Sequence, residues 1–226
     1  MKVPDILAEL RSQANPKNVA GMARFGINAK NTLGVSIPAL RALTKRIRKD
    51  SKGTKERHEL AKELWQTELH EARILAGMVD EPLLVTEKQM DAWIRDFDSW
   101  DICDQVCMNL FDKTPFALDK AIEWTARSPE FEKRSGFALM ACLSWHDKKA
   151  EDSRFSQFFP SIKAESQDER NFVKKAVNWA LRQIGKRNAF LRKQAIICAK
   201  EIQKLDSRSA RWIAGDALRE LTNSKK

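Results

Sequence analysis

The chain of 226 residues carries 41 basic and 31 acidic side chains, a net charge of +10, with only 8 glycines, 7 prolines and 4 cysteines. That length allows one large domain or two small ones with a sizeable core. Long Ala/Leu/Lys/Glu-rich stretches, and no alternating β-branched runs bounded by hairpin turns, exclude a sheet protein in favour of an all-α one. No apolar run approaches the ~18 residues of a membrane span and no leader pattern is present, so a soluble, cytoplasmic chain with no membrane contact is expected.

In chain order, the periodicity and the start and stop signals predict helices over 4–14, 16–25, 37–49, 55–65, 69–79, 87–96, 101–112, 116–126, 131–145, 152–164, 169–186, 189–204 and 209–221. Ser36-Ile-Pro38 is a strong start signal for the third of these. Connections are short and polar, with none resembling an interdomain linker, so a single continuous array over residues 1–226 is expected. Charge changes sign along it. Residues 1–50 hold 10 basic and 3 acidic side chains, 51–112 hold 7 and 14, 113–165 hold 9 and 8, and 166–226 hold 15 and 6. Two basic ends around an acidic middle suit a polyanion held from both sides.

A loose repeat underlies the helices. Lys133-Arg134, Lys174-Lys175 and Arg192-Lys193 each open a helix with two cations and continue into a small-plus-apolar run. The unit is a helix pair of roughly 35–45 residues, the period of an α-solenoid whose concave face would accommodate a duplex.

Two helices carry candidate chemistry. In the stretch 168–186 the apolar stripe runs through Phe172, Val173, Ala176, Val177, Ala180, Leu181 and Ile184. At ~100° per residue, Lys175, Trp179, Arg182 and Lys186 fall together on roughly the opposite side. An aromatic ring among cations suits a phosphate backbone with a base or sugar against the ring. A contact between Trp179 and a neighbouring helix explains the same pattern. In the helix beginning near Asp101, Trp100 and Asp104 are spaced i, i+4 and stand side by side, off the centre of the stripe through Ile102, Cys103, Val106, Cys107 and Leu110. A carboxylate beside an aromatic ring can stabilise a developing cation or position a water. First-turn acidity accounts for Asp101, and also for Asp104, while Trp100 has a core reading as well. Arg134 opens a helix that is apolar almost all round, so it needs either a structural carboxylate or an incoming phosphate. The three histidines show no triad or metal spacing and receive no role. The four cysteines lie in apolar helical patterns with no histidine at zinc-like spacing, so neither metal nor cofactor is expected. Phosphate-cradling glycine loops and nucleophile elbows are absent, which removes the ordinary kinase, dehydrogenase and hydrolase readings.

Four stretches together resemble the DNA alkylation-repair glycosylases of the AlkD type, built from HEAT-like helical repeats: Met22-Ala-Arg-Phe25 with Leu33-Gly-Val-Ser-Ile-Pro38, Ser99-Trp-Asp-Ile-Cys-Asp104, Phe131-Glu-Lys-Arg134, and Val173-Lys-Lys-Ala-Val-Asn-Trp-Ala-Leu-Arg182. The resemblance implies a monomeric, monofunctional glycosylase that removes positively charged alkylpurines, such as N3-alkyladenine and N7-alkylguanine, from double-stranded DNA. It assigns Asp104 as the catalytic carboxylate, Trp100 and Trp179 as aromatic faces flanking the damaged nucleotide, and Arg134 as a backbone contact. Phe25 stands where the family places another aromatic, often Tyr; this chain has no tyrosine, so only the ring is available. Lys175, Arg182 and Lys186 complete the candidate DNA-binding set. A catalytically inactive HEAT-like protein that binds damaged or branched DNA, and a helical scaffold for an acidic protein partner, are the competing readings.

Overall fold

The computed structural model describes residues 1–223, which divide into two compact units at Thr114/Pro115. Every regular element among the described residues is helical.

The first unit holds α1 (Val3–Ser12), α2 (Pro16–Arg24), α3 (Ile37–Asp50), α4 (Thr54–Trp65), α5 (His70–Val79), α6 (Glu87–Arg95) and α7 (Trp100–Asn109). The starts follow capping chemistry: Asn15, Ser36 and Thr86 side chains accept the amides of Asn18, Ala39 and Gln89, and Pro16 and Pro38 sit in first turns where a missing N–H costs nothing. The helix α5 is the hub. Ten consecutive residues from His70 to Val79 contain nine that are buried, and α5 packs against α3, α4 and α7. Gly77 lets α7 approach: a Cβ there would stand 3.2 Å from a Val106 methyl. Beside the hub, Trp65 and Trp93 stack at 4.0 Å with an interplanar angle of 2°, and the Trp65 indole N–H donates to Asp96 at 2.8 Å.

The second unit holds α8 (Ala117–Thr125), α9 (Glu130–His146), α10 (Ser153–Ser156), α11 (Phe159–Ala164), α12 (Asn171–Gly185), α13 (Ala189–Ile202) and α14 (Arg208–Asn223). Its central helix is α9, buried continuously from Arg134 to Ser144 and packed on α8 and α12. Gly136 is required by that packing, since a Cβ would meet Thr125 N at 2.7 Å and Ala121 O at 2.8 Å, both backbone atoms. The helix expected over 152–164 is broken into α10 and α11. Pro160 occupies the first turn of α11, where its ring is tolerated, and it could not continue α10 because it lacks the N–H that the preceding turn needs.

The loose repeat read from the sequence has a structural counterpart in each unit. Side chains bond across helices at nearly constant separations: Arg46 to Glu9 (37 residues), Glu71 to Gly34 (37), Arg134 to Phe172 (38), Lys163 to Glu201 (38), Asn178 to Asp216 (38) and Arg182 to Glu220 (38). A recurring offset of one helix pair means that successive pairs present equivalent positions to each other, as stacked helical repeats do. No helix among the described residues is long and apolar enough to cross a membrane.

Candidate functional site

In the first unit the site is built where the loop between α2 and α3 meets the starts of α5 and α7. The loop turns through Gly26 and Gly34, with φ of 77° and 79°, and Asn31 at 55°. Gly34 cannot be replaced: besides its left-handed backbone, a Cβ would lie 2.4 Å from the Asn15 carbonyl oxygen. Glu71, 1 % exposed, fastens this loop from α5. Its Oε1 accepts the backbone N–H groups of Leu33, Gly34 and Val35 at 3.0, 2.6 and 3.2 Å, and Oε2 shares the first at 3.0 Å. Three amides converging on one buried carboxylate give a charge its hydrogen bonds without a salt-bridge partner.

Next to it, His70 Nε2 meets Asp101 Oδ2 at 2.8 Å, and the Ser99 hydroxyl donates to Asp101 Oδ1 at 2.8 Å. Burial opposes a charge on His70, but the hydrogen bond its ring N–H donates to Asp101 and the negative potential of Asp101, Glu71 and Asp98 outweigh it and raise the imidazole above its ordinary pKa. The histidine that sequence reasoning leaves without a role is therefore bound to the acid it assigns to a helix first turn. Asp101 does lie in the first turn of α7, yet its side chain is engaged by His70 and Ser99. The pair lies 31 residues apart with no local pattern linking the two, so no sequence signal marks it.

Trp100 opens α7, partly buried, and its indole N–H donates to the Phe25 carbonyl at 3.0 Å. Asn28 donates to Asp98 at 2.6 Å, a second tie between the loop and the α7 start. Phe25 itself is 72 % exposed. Asp104 follows one turn after Trp100 and is partly buried. The structure thus ties Trp100 to Phe25, with Asp104 one turn further along α7. Around Trp100 and Phe25 opens a cavity of about 650 Å³, walled by Met22, Ile27, Val35, Ile37 and Ile74, with Lys17, Asn18, Ser36, His70, Glu71, Asp101 and Gln105 contributing its polar lining. Asp104 is not among the lining residues.

In the second unit Arg134 is 5 % exposed, and its Nη1 donates to the Phe172 carbonyl at 2.6 Å, so the cation read from sequence spans from α9 to α12. On α12, Val173, Ala176, Val177, Ala180, Leu181 and Ile184 are buried, Trp179 and Arg182 are partly buried, and Lys175 and Lys186 are exposed. Two of these cations face carboxylates of α14. Arg182 Nη1 stands 2.5 Å from Glu220 and 3.5 Å from Asp216, and Lys186 Nζ 2.7 Å from Glu220. Burial would raise the Glu220 carboxyl, but hydrogen bonds from Lys186 and Arg182 hold it below the usual range. Lys174 lies 5.7 Å from the ring centre of the exposed Trp212. Burial pushes the Cys198 thiol up to about 12, which makes it a packing residue rather than a nucleophile. Among the described residues no three His, Cys, Asp or Glu side chains converge as a metal site.

Residues 6–221 match the model of a family described as DNA alkylation repair enzyme. No curated protein matches the chain. A solved structure described as "a new family of proteins related to the HEAT-like repeat DNA glycosylases with affinity for branched DNA structures" superposes with a TM-score of 0.76 at 21 % identity, covering 100 % of this chain and 98 % of that one. The fold is therefore that of the HEAT-like repeat proteins.

Proposed function

The chain belongs to the DNA alkylation repair enzyme family, and we propose that it is a monomeric, monofunctional DNA glycosylase that excises positively charged alkylpurines from double-stranded DNA. The observation that supports this most directly is the pairing of Trp100 and Asp104 on one helix, with the exposed Phe25 tied to Trp100 through its own carbonyl. An N3- or N7-alkylated purine is cationic and already a good leaving group, so no acid is needed to protonate it. Its departure leaves an oxocarbenium-like sugar, the species that carboxylates stabilise in glycoside hydrolysis. Asp104 opposes that charge and orients the attacking water. The Trp100 face interacts more strongly with the sugar as it becomes cationic, which is preferential binding of the transition state. In the second unit, Arg134, Lys175, Arg182 and Lys186 are assigned to the DNA backbone and Trp179 to an aromatic face for DNA. The protein acts in the cytoplasm, on nucleoid DNA.

Release of N7-methylguanine from a defined duplex under single turnover tests the proposal. The wild type releases the base and Asp104→Asn does not, while DNA affinity is unchanged or slightly higher in the variant because a negative charge near phosphate is gone. Equal release by both proteins would remove Asp104 from the mechanism. A second reading is supported by the solved neighbour described as having affinity for branched DNA: a protein that binds DNA without cleaving it. No release by either protein, together with tighter binding to a four-way junction than to a linear duplex, would establish that reading instead.

A further inference from the structure

The helix α14 presents a solvent face that the packing of the second unit does not explain. Its inner side is fixed by Ala210, Ile213, Ala214, Ala217 and Leu221, all buried. At ~100° per residue, Arg208, Trp212, Gly215 and Arg219 fall within about 60° of one another on the outer side. Trp212 is 42 % exposed, so a large aromatic ring is left in water between two arginines. Lys174 of α12 adds a third cation, its Nζ 5.7 Å from the ring centre. The pattern that the sequence marks at Trp179, which is partly buried, thus recurs at Trp212 with the ring exposed.

Gly215 is a second, independent anomaly. Glycine is disfavoured in a helix interior, and at Gly77, Gly136 and Gly185 it is explained by a neighbour that a Cβ would crowd. A Cβ on Gly215 would meet no atom within 4 Å. One turn after Trp212, this glycine leaves bare backbone where a side chain would otherwise lean back toward the indole.

We propose that this face stacks one unpaired base of a DNA strand on Trp212, with Arg208 and Arg219 taking the phosphates beside it. The proposal rests on the DNA-binding reading above and adds a contact for a nucleotide other than the reacting one. A base within a duplex has both faces covered by its neighbours, so only an unpaired one offers a face to the ring. Arg208 and Arg219 stand about 6 and 10 Å along the helix axis from Trp212, within reach of flanking phosphates for their long side chains. The nearby carboxylates leave the face open. Glu169 accepts the Ser209 amide at 3.0 Å and the Ser207 hydroxyl at 3.1 Å. Asp216 accepts the Asn178 amide at 2.7 Å and a bond from Arg219, whose side chain stays 70 % exposed. No second large apolar side chain stands among the four residues of the face, so it suits a nucleotide better than the apolar core of a protein interface.

The test measures binding of the full chain, by fluorescence anisotropy, to a blunt duplex and to the same duplex with a single-stranded thymidine tail of about ten nucleotides. The wild type prefers the tailed duplex by about tenfold, as one stacked base predicts. Trp212→Ala brings that ratio below about twofold and leaves blunt-duplex affinity within about twofold of wild type, while Trp212→Phe keeps most of the preference. Gly215→Gln directs a side chain toward the ring and loses the preference too. It melts at or above the wild type, because a helix-interior glycine with open space around it is replaced, and it decides the matter should Trp212→Ala not fold. A preference retained by folded Trp212→Ala or Gly215→Gln, or blunt-duplex binding by the wild type with no preference, overturns the assignment. So does a rise in mass with protein concentration, without DNA, that Trp212→Ala abolishes, since the face would then belong to a second copy of the chain. Excision of N7-methylguanine is scored on the blunt duplex, so failure of the glycosylase reading is seen separately. Absence of any DNA binding overturns both readings together.

Discussion

Replacing Glu71 with Gln changes one oxygen of a buried carboxylate into an NH2 group, and the geometry around it sets the cost. The retained oxygen can still accept from Leu33, Gly34 and Val35, but as a neutral amide; the new NH2 faces the Leu33 N–H that Oε2 now shares. Hydrogen bonds to charged groups contribute about 1.5–3 kcal/mol each against about 0.5–1.5 kcal/mol for neutral ones. Converting the strongest bond, Gly34 N–H at 2.6 Å, and setting two donors face to face at Leu33 therefore costs on the order of 2–3 kcal/mol. The group is 1 % exposed, so solvent screening does not diminish this. Urea unfolding followed by hydrogen exchange is the assay. The midpoint falls by the corresponding amount, and protection is lost first at the amides of residues 33–35. A destabilisation below about 0.5 kcal/mol, with those amides as protected as before, refutes the argument that the carboxylate fastens the loop.

Three further outcomes are expected. Because the folded pKa of His70 is raised, the protein binds a proton there more readily folded than unfolded. The stability this contributes is complete below the ordinary histidine value of about 6.5 and is lost as pH rises through the folded value, so the urea midpoint is highest on the acid side of about pH 6.5 and declines as pH rises above it. His70→Gln flattens that decline; an unchanged slope would mean that another group is responsible. Gly136→Ala forces a methyl to within 2.8 Å of two backbone atoms of α8 and lowers stability by on the order of 2–3 kcal/mol in calorimetry, whereas a neutral result would show that α8 and α9 part easily. Glu220→Gln releases Arg182 and Lys186 from their shared carboxylate, and so raises duplex affinity several-fold at low salt and steepens the salt dependence by about one charge. Titrations that superpose on those of the wild type would assign both cations to structure alone.

What the amino-acid order determined by itself is everything carried by short-range pattern. The helical stripes, the Ser36–Pro38 helix start and the i, i+4 placement of Trp100 and Asp104 follow from 3.6-residue periodicity and local hydrogen bonding. The stripe of α12 is recovered except at its first position, with Val173, Ala176, Val177, Ala180, Leu181 and Ile184 buried, Phe172 partly buried and Lys175 exposed. Only tertiary structure decided what each polar group faces. Arg134 was legible as a cation in need of a partner, but it reaches a backbone carbonyl 38 residues away, which no residue type announces. Arg182 and Lys186 read as open cations until α14 set Glu220 against them. His70 and Glu71 carried no local signal, and Asp101 only its place in a helix first turn, since the bonds that join Asp101 to His70 and Glu71 to the loop reach 31 to 38 residues along the chain. Periodicity specifies which side of a helix is apolar; it is the stacking of one helix pair on the next that chooses the neighbour, and with it the charge, the hydrogen bonds and the empty space that make a site.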